Sequence, residues 1–376
     1  KSNDTFEDYG LFTQVEQLNK TALKAHGLDK SGHLYKVNSF DFHRYEDTIK
    51  LADDPDYNQA AFEGMLEIKG DSDHTKLIEM LDALNDESQK IDDVLATYFD
   101  TENLVYWLAF QLLTGNCDTQ NRNCYLYSPL NSNTWYFLDW DNDGMLRKLE
   151  LSLTGFSDYA SWERGVSNYW GNVLFNRALR SKSFRSELDA AVKDLRSYMT
   201  EERLAKMIKH YREVTESLVF AAPDIDNLPV TKDQYEQIAA AIPAEIEENY
   251  KSFRESYKKP MPFYIGMPQI DNGKLRINWD ASYDFKARDI RYTVELARDY
   301  AITDVIFKAE DVLLPEVTCD APDTGQYFVH VRATNSDGYT QDAFDYYVTD
   351  DGKQYGMLCF YVQDGGKVVG DTYEEG

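Results

Sequence analysis

The spacing of apolar and polar residues changes once along the chain. From Asp73 to about Tyr257, apolar residues recur three and four positions apart, which is the period of an amphipathic α-helix. A β-rich interruption lies between Cys124 and Trp140. The clearest predicted helices are 75–84, 100–113, 184–198 and 201–220, with helix starts predicted at Asp100, Ser183 and Thr200.

After the proline-containing stretch 258–262, the hydrophobic period falls to two. The alternating segments predict strands at 275–279, 290–296, 305–308, 326–333 and 342–348. Turn signals such as 271–273 and 335–338 separate these strands, and this pattern is typical of a β-sandwich. The chain is therefore predicted to be α+β. Its expected parts are a mainly helical domain over 1–259, an all-β sandwich over 260–350 and a C-terminal extension over 351–376.

Composition narrows the classes of function. The 376 residues include 66 Asp and Glu against 39 Lys and Arg, for a net charge of −27. Such a charge argues against binding to nucleic acid or to anionic lipid, because both depend on basic side chains. A general acidic surface is the simplest explanation of the charge. No run of 18 apolar residues is present, so no membrane span is expected.

Candidate chemistry is concentrated between the apolar run 104–113 and the end of the β-rich stretch. Asp118 and Asn123 lie on a loop after that run, and Asp139 and Asp141 follow a predicted hairpin. Phosphoryl transfer uses an Asp to accept the proton of the attacking hydroxyl, an Asn five residues later on a metal, and a carboxylate beyond the hairpin. Asp118 and Asn123 have that spacing, and Asp139 or Asp141 fits the last role.

Two other interpretations of these residues stay open. Asp118 can cap a turn, with Asn121 or Asn123 in a left-handed conformation. A disulfide between Cys117 and Cys124 would brace the loop in an oxidising compartment, and two thiols are the equal alternative.

The acidic segment also matches a calcium-loop pattern. Asp139, Asp141 and Asp143 are followed by Gly144, and Glu150 stands at the twelfth position of an EF-hand loop. An EF-hand loop should follow a helix, whereas here a strand is predicted. Calcium binding would use both oxygens of Glu150, and a kinase-type site would not.

Four ordered stretches resemble the family of spore-coat-protein-H (CotH) kinase-like proteins. They are Tyr9–Gln17, Gly32–Lys36, Gly115–Tyr127 and Trp140–Asp143. The resemblance implies an atypical protein kinase that uses ATP with Mg²⁺ or Mn²⁺ to phosphorylate protein hydroxyls. It also implies that Asp118 is the catalytic base, that Asn123 and Asp141 are metal ligands, and that Asp143 is a further candidate ligand.

Family members have a larger N-terminal lobe than this sequence shows before Tyr9, so the lobe is expected to be incomplete here. Lys36 and Glu16 are the remaining candidates for an ion pair over the nucleotide. A lysine at a solvated strand end is an equal interpretation of Lys36. These nucleotide-binding roles follow from the resemblance alone.

The C-terminal stretch, about 262–349, resembles a fibronectin type III domain. The resemblance lies in Trp279 on an early strand and in the segment Gly325–Asn335. Together the two resemblances imply a secreted or cell-surface enzyme acting on a protein outside the cytoplasm. The alternative function is a catalytically silent extracellular module that binds a protein or glycan partner, with calcium as a possible stabiliser.

Overall fold

The computed structural model describes residues 8–155, 159–350 and 352–371, and these divide into two compact units. The first unit comprises 8–155 together with 172–250. The second comprises 159–171 together with the described residues from 251 to 371. The mixed α+β composition agrees with the sequence prediction, with helices dominating the first unit and antiparallel sheets the second.

The described residues contain the following α-helices: α1 (Lys20–Ala25), α2 (Gln59–Met65), α3 (Thr75–Asn85), α4 (Ile91–Tyr98), α5 (Thr101–Thr114), α6 (Lys148–Thr154), α7 (Val173–Arg180), α8 (Lys182–Tyr198), α9 (Glu201–Val219) and α10 (Lys232–Ser256). Among these residues, no helix combines the length and apolar composition that a membrane-crossing segment needs.

One antiparallel sheet crosses the first unit. Its strands are β1 (His33–Val37), β2 (Leu66–Ile68), β3 (Cys124–Ser128) and β4 (Tyr136–Asp139). Their order is β2-β1-β3-β4. Val37 lies opposite Cys124, which in turn lies opposite Asp139. This register brings the loop before β3 and the loop after β4 to the same end of the sheet.

Helix α5 supports that end of the sheet from one face. Most apolar residues of the helix are buried, and Trp107 packs on Phe137 of β4 with ring centroids 4.9 Å apart. The helix starts at a capping residue, because the Asp100 side chain accepts the Asn103 backbone N–H. Burial of this kind contributes about 2 kcal/mol for each large apolar side chain.

The second unit is built from strands with short connections. They are β5 (Gln269–Asp271), β6 (Lys274–Asn278), β7 (Ile290–Ala297), β8 (Val305–Val312), β9 (Glu316–Asp320), β10 (Gly325–Asn335), β11 (Thr340–Asp342), β12 (Tyr346–Thr349), β13 (Gly352–Tyr355), β14 (Met357–Val362) and β15 (Val368–Gly370). One sheet has the order β5-β6-β9 and another the order β15-β14-β10-β7-β8, with β11 beside β10. The strands β12 and β13 pair separately.

The two larger sheets of this unit share one apolar core. Leu275 and Ile277 from β6 join Val294 from β7 and Val331 from β10, and all four are fully buried. The single strand predicted over 342–348 is wrong. The chain breaks between β11 and β12, where Phe344 donates its N–H to Phe263 and Asp345 accepts the Ile265 N–H instead of continuing a ladder.

Candidate active site

A glycine ends α5 and turns the chain into the loop that carries Asp118. Gly115 has a φ of 66°, in the left-handed region that favours glycine. A Cβ added there would lie 2.6 Å from Nδ2 of the Asn249 side chain. That buried amide donates to the Leu113 carbonyl at 3.1 Å, so it also satisfies an acceptor in the last turn of the helix. The exit of the loop from α5 is therefore fixed by packing as well as by conformation.

Both carboxylate oxygens of Asp118 have partners from its own loop. Arg122 Nε contacts Oδ1 at 2.9 Å, and Asn123 Nδ2 donates to Oδ2 at 2.9 Å. The Asp118 side chain is 51% exposed, so the carboxylate faces solvent between these two partners. Asn123 has a φ of 58°, as the turn interpretation predicts, and its amide nevertheless contacts the carboxylate. The turn geometry and the pairing of Asp118 with Asn123 thus coexist.

The loop after β4 presents a second set of carboxylates. Asp141 has a φ of 55°, a conformation that is costly for a residue with a side chain. Asp141 and Asp143 are exposed. A short 3₁₀ turn, Asn142–Gly144, follows directly, and the Leu146 N–H then donates to the Thr114 carbonyl at the end of α5. The loop is therefore attached to α5 while two of its carboxylates point outward.

Asp139 differs from Asp141 in its surroundings. Gln111 Nε2 donates to Asp139 Oδ1 at 3.0 Å. Asp139 is exposed as a residue, yet the protein packed around its carboxyl group raises the pKa of that group, against the lowering effect of hydrogen bonds from Asn142 and Gln111. Of the two carboxylates considered for the position after the hairpin, Asp139 is the one held by protein amides.

The two loops touch each other. A Cβ built on Gly144 would lie 3.7 Å from Cβ of Asp118 and 2.6 Å from Oδ1 of Asn116. Asn116 Nδ2 donates to Asn142 Oδ1 at 3.3 Å, which links the loops directly. Two segments separated by a hairpin in sequence thus lie in contact, one with the exposed Asp118 and its half-buried partner Asn123, the other with the exposed carboxylates of Asp141 and Asp143.

A family model described as CotH kinase protein matches residues 2–253, about two thirds of the chain. The chain belongs to the CotH kinase family. The resemblance found in the four sequence motifs is thereby confirmed. No curated protein matches the chain.

In this CotH-family chain, Lys36 and Glu16 have separate partners. Lys36 Nζ lies 5.7 Å from the centroid of the Trp140 ring, next to the Asp141 loop. Glu16 accepts from His26 Nε2 at 2.8 Å. Lys36 therefore contacts the residue that directly precedes Asp141, and its pairing with Glu16 remains a prediction.

The described residues contain no group of three or more His, Cys, Asp or Glu side chains close enough to hold a metal by themselves. The calcium-loop interpretation is not favoured by the contacts of Glu150. Both of its carboxylate oxygens accept from the Arg147 guanidinium at 2.8 Å, and the loop follows a strand rather than a helix. The oxygens that an EF-hand would use are thus engaged by the protein itself.

The cysteines that flank the loop, Cys117 and Cys124, do not form a disulfide. Cys117 is half-buried and Cys124 is buried. Burial, with the nearby Asp139 carboxylate, raises the pKa of the Cys124 thiol. The loop of this CotH-family chain is therefore braced by hydrogen bonds, without a disulfide.

Three amide residues of the site were not predicted from the sequence as functional: Gln111, Asn116 and Asn142. A usable signal existed for Gln111, which interrupts an apolar run and is 1% exposed in the structure. A polar residue in the middle of such a run is costly to bury unless it has partners. Asn116 lies in the Gly115–Tyr127 motif that carries the family resemblance, but no role was assigned to it, and Asn142 stands between two acidic residues and shows no separate signal.

Proposed function

We propose that this CotH-family protein transfers the γ-phosphoryl group of ATP to a hydroxyl group of a protein outside the cytoplasm. The observation that carries the proposal is the contact between the Asp118 loop and the Asp141 loop. Phosphoryl transfer depends mainly on positioning and electrostatics, and it needs an acceptor-orienting Asp beside a site for metal and phosphate. The adjacent loops supply both kinds of group.

Asp118 is the proposed general base. Its exposed carboxylate accepts the proton of the acceptor hydroxyl while that oxygen bonds to the γ-phosphorus and the bond to the ADP oxygen breaks. The neighbouring Asn123 amide orients the carboxylate through Oδ2 and leaves the Asp118 side chain open to an incoming acceptor.

Asn123 and Asp141 are the proposed ligands of Mg²⁺ or Mn²⁺, with Asp143 as a further candidate. The exposed carboxylates of Asp141 and Asp143 and the half-buried amide of Asn123 offer oxygen ligands that suit such hard cations, which usually bind through one or two carboxylates plus substrate phosphates. That mode of binding needs no complete protein cage. The metal would neutralise charge on the phosphates, and the exposed side chain of Asp141 is open to such a metal, whereas Asp139 accepts a hydrogen bond from Gln111.

Lys36 is proposed to contact the nucleotide phosphates from β1. It lies against Trp140, the residue directly before Asp141. Glu16 belongs to the proposal only as a partner of Lys36 when nucleotide is bound, because its partner in this structure is His26.

We infer that the second unit is a fibronectin type III-like sandwich and that the protein is secreted or held at the cell surface. The β5-β6-β9 sheet and the sheet containing β14-β10-β7-β8 share a core that includes Trp279. The Tyr327 hydroxyl donates to the Asp323 carbonyl four residues upstream at 2.9 Å, as in the tyrosine corner of such sandwiches. A protein or glycan partner of this unit is part of the same proposal.

The experiment that tests the function is calorimetric titration of ATP in the presence of Mg²⁺ or Mn²⁺, and again with the metal chelated. We expect metal-dependent binding by the full chain, and its loss in Asp141→Ala. Asp53→Ala, which removes an exposed carboxylate from another loop, should bind as the unchanged protein does. Absence of metal-dependent ATP binding by the unchanged protein would overturn the proposal.

One observation favours a second candidate, a catalytically silent extracellular module. Lys36 and Glu16, the predicted nucleotide-binding pair, are not paired with each other, and Glu16 is paired with His26. A silent protein would retain its fold, and its second unit would carry the binding function. The titration separates the two candidates, because a silent module would show no metal-dependent ATP binding.

A further inference from the structure

Three side-chain amides form a hydrogen-bonded group beneath the exposed residues of the site. Gln111 lies on α5, Asn116 on the Asp118 loop and Asn142 on the Asp141 loop. Gln111 is 1% and Asn116 2% exposed. Since the three residues belong to three different segments, their hydrogen bonds join parts of the chain that local structure alone does not hold together.

Asn142 is the residue on which these hydrogen bonds converge. Its Oδ1 accepts from Gln111 Nε2 at 3.3 Å and from Asn116 Nδ2 at 3.3 Å. A hydrogen bond from Asn142 also lowers the pKa of Asp139, against the larger opposing effect of burial. Asn142 stands between Asp141 and Asp143 in sequence, so its amide fixes the segment that carries both exposed carboxylates.

Asn116 holds the Asp118 loop in a similar way. Its Oδ1 accepts the Asp118 N–H at 3.3 Å, and its own N–H donates to the Gln111 carbonyl at 3.1 Å. The close approach of Gly144 leaves no room for a Cβ beside Asn116 Oδ1. The backbone of Asp118 and the backbone of Gly144, directly after Asp143, are thereby set relative to one buried amide.

Gln111 makes these contacts at an energetic cost. Its Nε2 donates hydrogen bonds to Asp139 and Asn142, while its buried Oε1 accepts none from the described residues. A buried acceptor without a partner lowers the stability of the fold. Rotating the amide would place Oε1 against two acceptor oxygens, so the orientation is determined by Asp139 and Asn142. Polar groups left unsatisfied in this way often mark a functional requirement.

We propose that Gln111, Asn116 and Asn142 form an amide clamp whose role is to position Asp118 and Asp141 for the transfer reaction. The three are positioning residues that act through the two loops and do not themselves touch the reacting atoms. The catalytic part of this proposal rests on the proposed function. The coupling of the two loops is a property of the fold and can be tested without an activity assay.

The first test is hydrogen exchange on the full chain carrying Asn142→Ala. Removing the shared acceptor should accelerate amide exchange in 115–123 as well as in 139–146, because both loops depend on it. Asn103→Ala is the matched control. Asn103 also joins α5 to β4, through bonds to the Phe137 backbone, but has no bond to either loop. Acceleration confined to 139–146 in Asn142→Ala would overturn the clamp.

The second test is kinetic, with casein as the acceptor protein and γ-labelled ATP. We expect kcat to fall about 10- to 100-fold in Asn142→Ala, since small misplacements of reacting groups have effects of this size. Asn103→Ala should lower stability with kcat within about twofold of the unchanged protein. Combining Asn142→Ala with Asn116→Ala should add little to the loss from either alone, because residues that act as one unit are not additive.

The outcomes separate the clamp from the function on which it rests. An unchanged protein that transfers no phosphate would overturn the proposed function, and the exchange experiment would still decide whether the amides couple the loops. An active protein in which Asn142→Ala and Asn103→Ala lower kcat equally would show a merely structural role and would overturn the positioning role.

Discussion

Each of the two units contains an aspartate paired with an arginine four residues later, and the two pairs have very different surroundings. In the first unit, Asp118 and Arg122 are joined at 2.9 Å with side chains 51% and 56% exposed. In the second, Asp284 and Arg288 are joined at 2.9 Å with side chains 1% and 10% exposed. The spacing and the contact distance are the same, and the main difference between the pairs is their burial.

The difference shows what each carboxylate is available to do. Asp284 accepts two hydrogen bonds from Arg288 Nε and one from Asn335, so its oxygens are committed to the protein. Burial alone would raise the pKa of Asp284, but the hydrogen bonds from Arg288 and Asn335 lower it. Asp118 has similar partners yet remains open to solvent. An exposed pair can exchange its partners for a substrate, whereas a buried pair cannot do so without unfolding its surroundings.

Among the substitutions that test this comparison, Asp118→Ala is expected to have the largest effect. Loss of the general base should lower the rate of phosphate transfer to casein about 10²- to 10⁴-fold. Metal-dependent ATP binding should persist, and the free energy of unfolding should change by less than about 0.5 kcal/mol, because the side chain is half exposed. Transfer assays, calorimetry and urea denaturation measure the three quantities. Transfer at the original rate in Asp118→Ala would refute its role as the base.

The opposite result is expected for Asp284→Ala. The change leaves the Arg288 guanidinium buried with one exposed partner, Asp337, and should destabilise the second unit by about 3–5 kcal/mol. Hydrogen exchange of the β7 and β10 amides measures the loss in this unit separately. Asp53→Ala is the control for an exposed carboxylate, with an expected change below about 0.5 kcal/mol. Equal stabilities of the two variants would show that burial does not distinguish these pairs.

Local patterns were sufficient to predict much of the fold. The helix starts at Asp100 and Thr200 are confirmed, because each depends on neighbours in sequence. The predicted start at Ser183 is wrong, since Ser181 caps α8 through the Phe184 N–H and Ser183 lies inside the helix. Both serines fit a capping pattern, and packing of the preceding helix decides between them.

The exposed part of the candidate site could be predicted from the sequence, whereas the buried amides that hold it in place could not. Asp118 and Asn123 were identified from their spacing and from the order of the surrounding elements, and the structure joins their side chains. The contacts of Gln111 with Asn142 cross 31 positions and depend on how α5 meets β4. Spacing along the chain carries no information about such contacts. The same limit explains why the burial of Asp284 was not foreseen.

A half-buried carboxylate that is paired with no basic side chain of the described residues offers a third comparison. Burial raises the pKa of Asp345 to about 6, and the nearby Asp280 adds to the rise. The folded protein therefore holds this proton more tightly than the unfolded chain, whose aspartates titrate at about 3.9. The stability that this group contributes is present below about pH 4 and is lost as the pH rises to about 6.

Asp345→Asn should remove this loss, since an amide stays neutral and its oxygen still accepts the Ile265 N–H. At pH 7 the variant should be more stable by about 1–3 kcal/mol, and at pH 4 nearly equal. Asp342→Asn is the control, for which the opposite change in stability is expected. Burial would raise the pKa of Asp342, but hydrogen bonds from His330 and Arg332 lower it to about 2. That variant should be less stable at pH 7. Urea denaturation from pH 4 to 7 measures both, and a flat profile for the unchanged protein would contradict the prediction.

The smallest effect is expected for Arg122→Ala, and it completes the comparison between the two pairs. The Asp118–Arg122 pair is exposed on both sides, and such pairs contribute about 0–1 kcal/mol because water screens the charges and ordering two side chains costs entropy. The free energy of unfolding should therefore fall by less than about 0.5 kcal/mol in urea denaturation. Arg288→Ala is the matched variant, and its loss should be several times larger because it leaves Asp284 charged and buried. If Arg122→Ala lowered the free energy of unfolding as much as Arg288→Ala does, the structure of the Asp118 loop would depend on its ion pair. The Asp118 carboxylate would then not be free to exchange Arg122 for an acceptor hydroxyl.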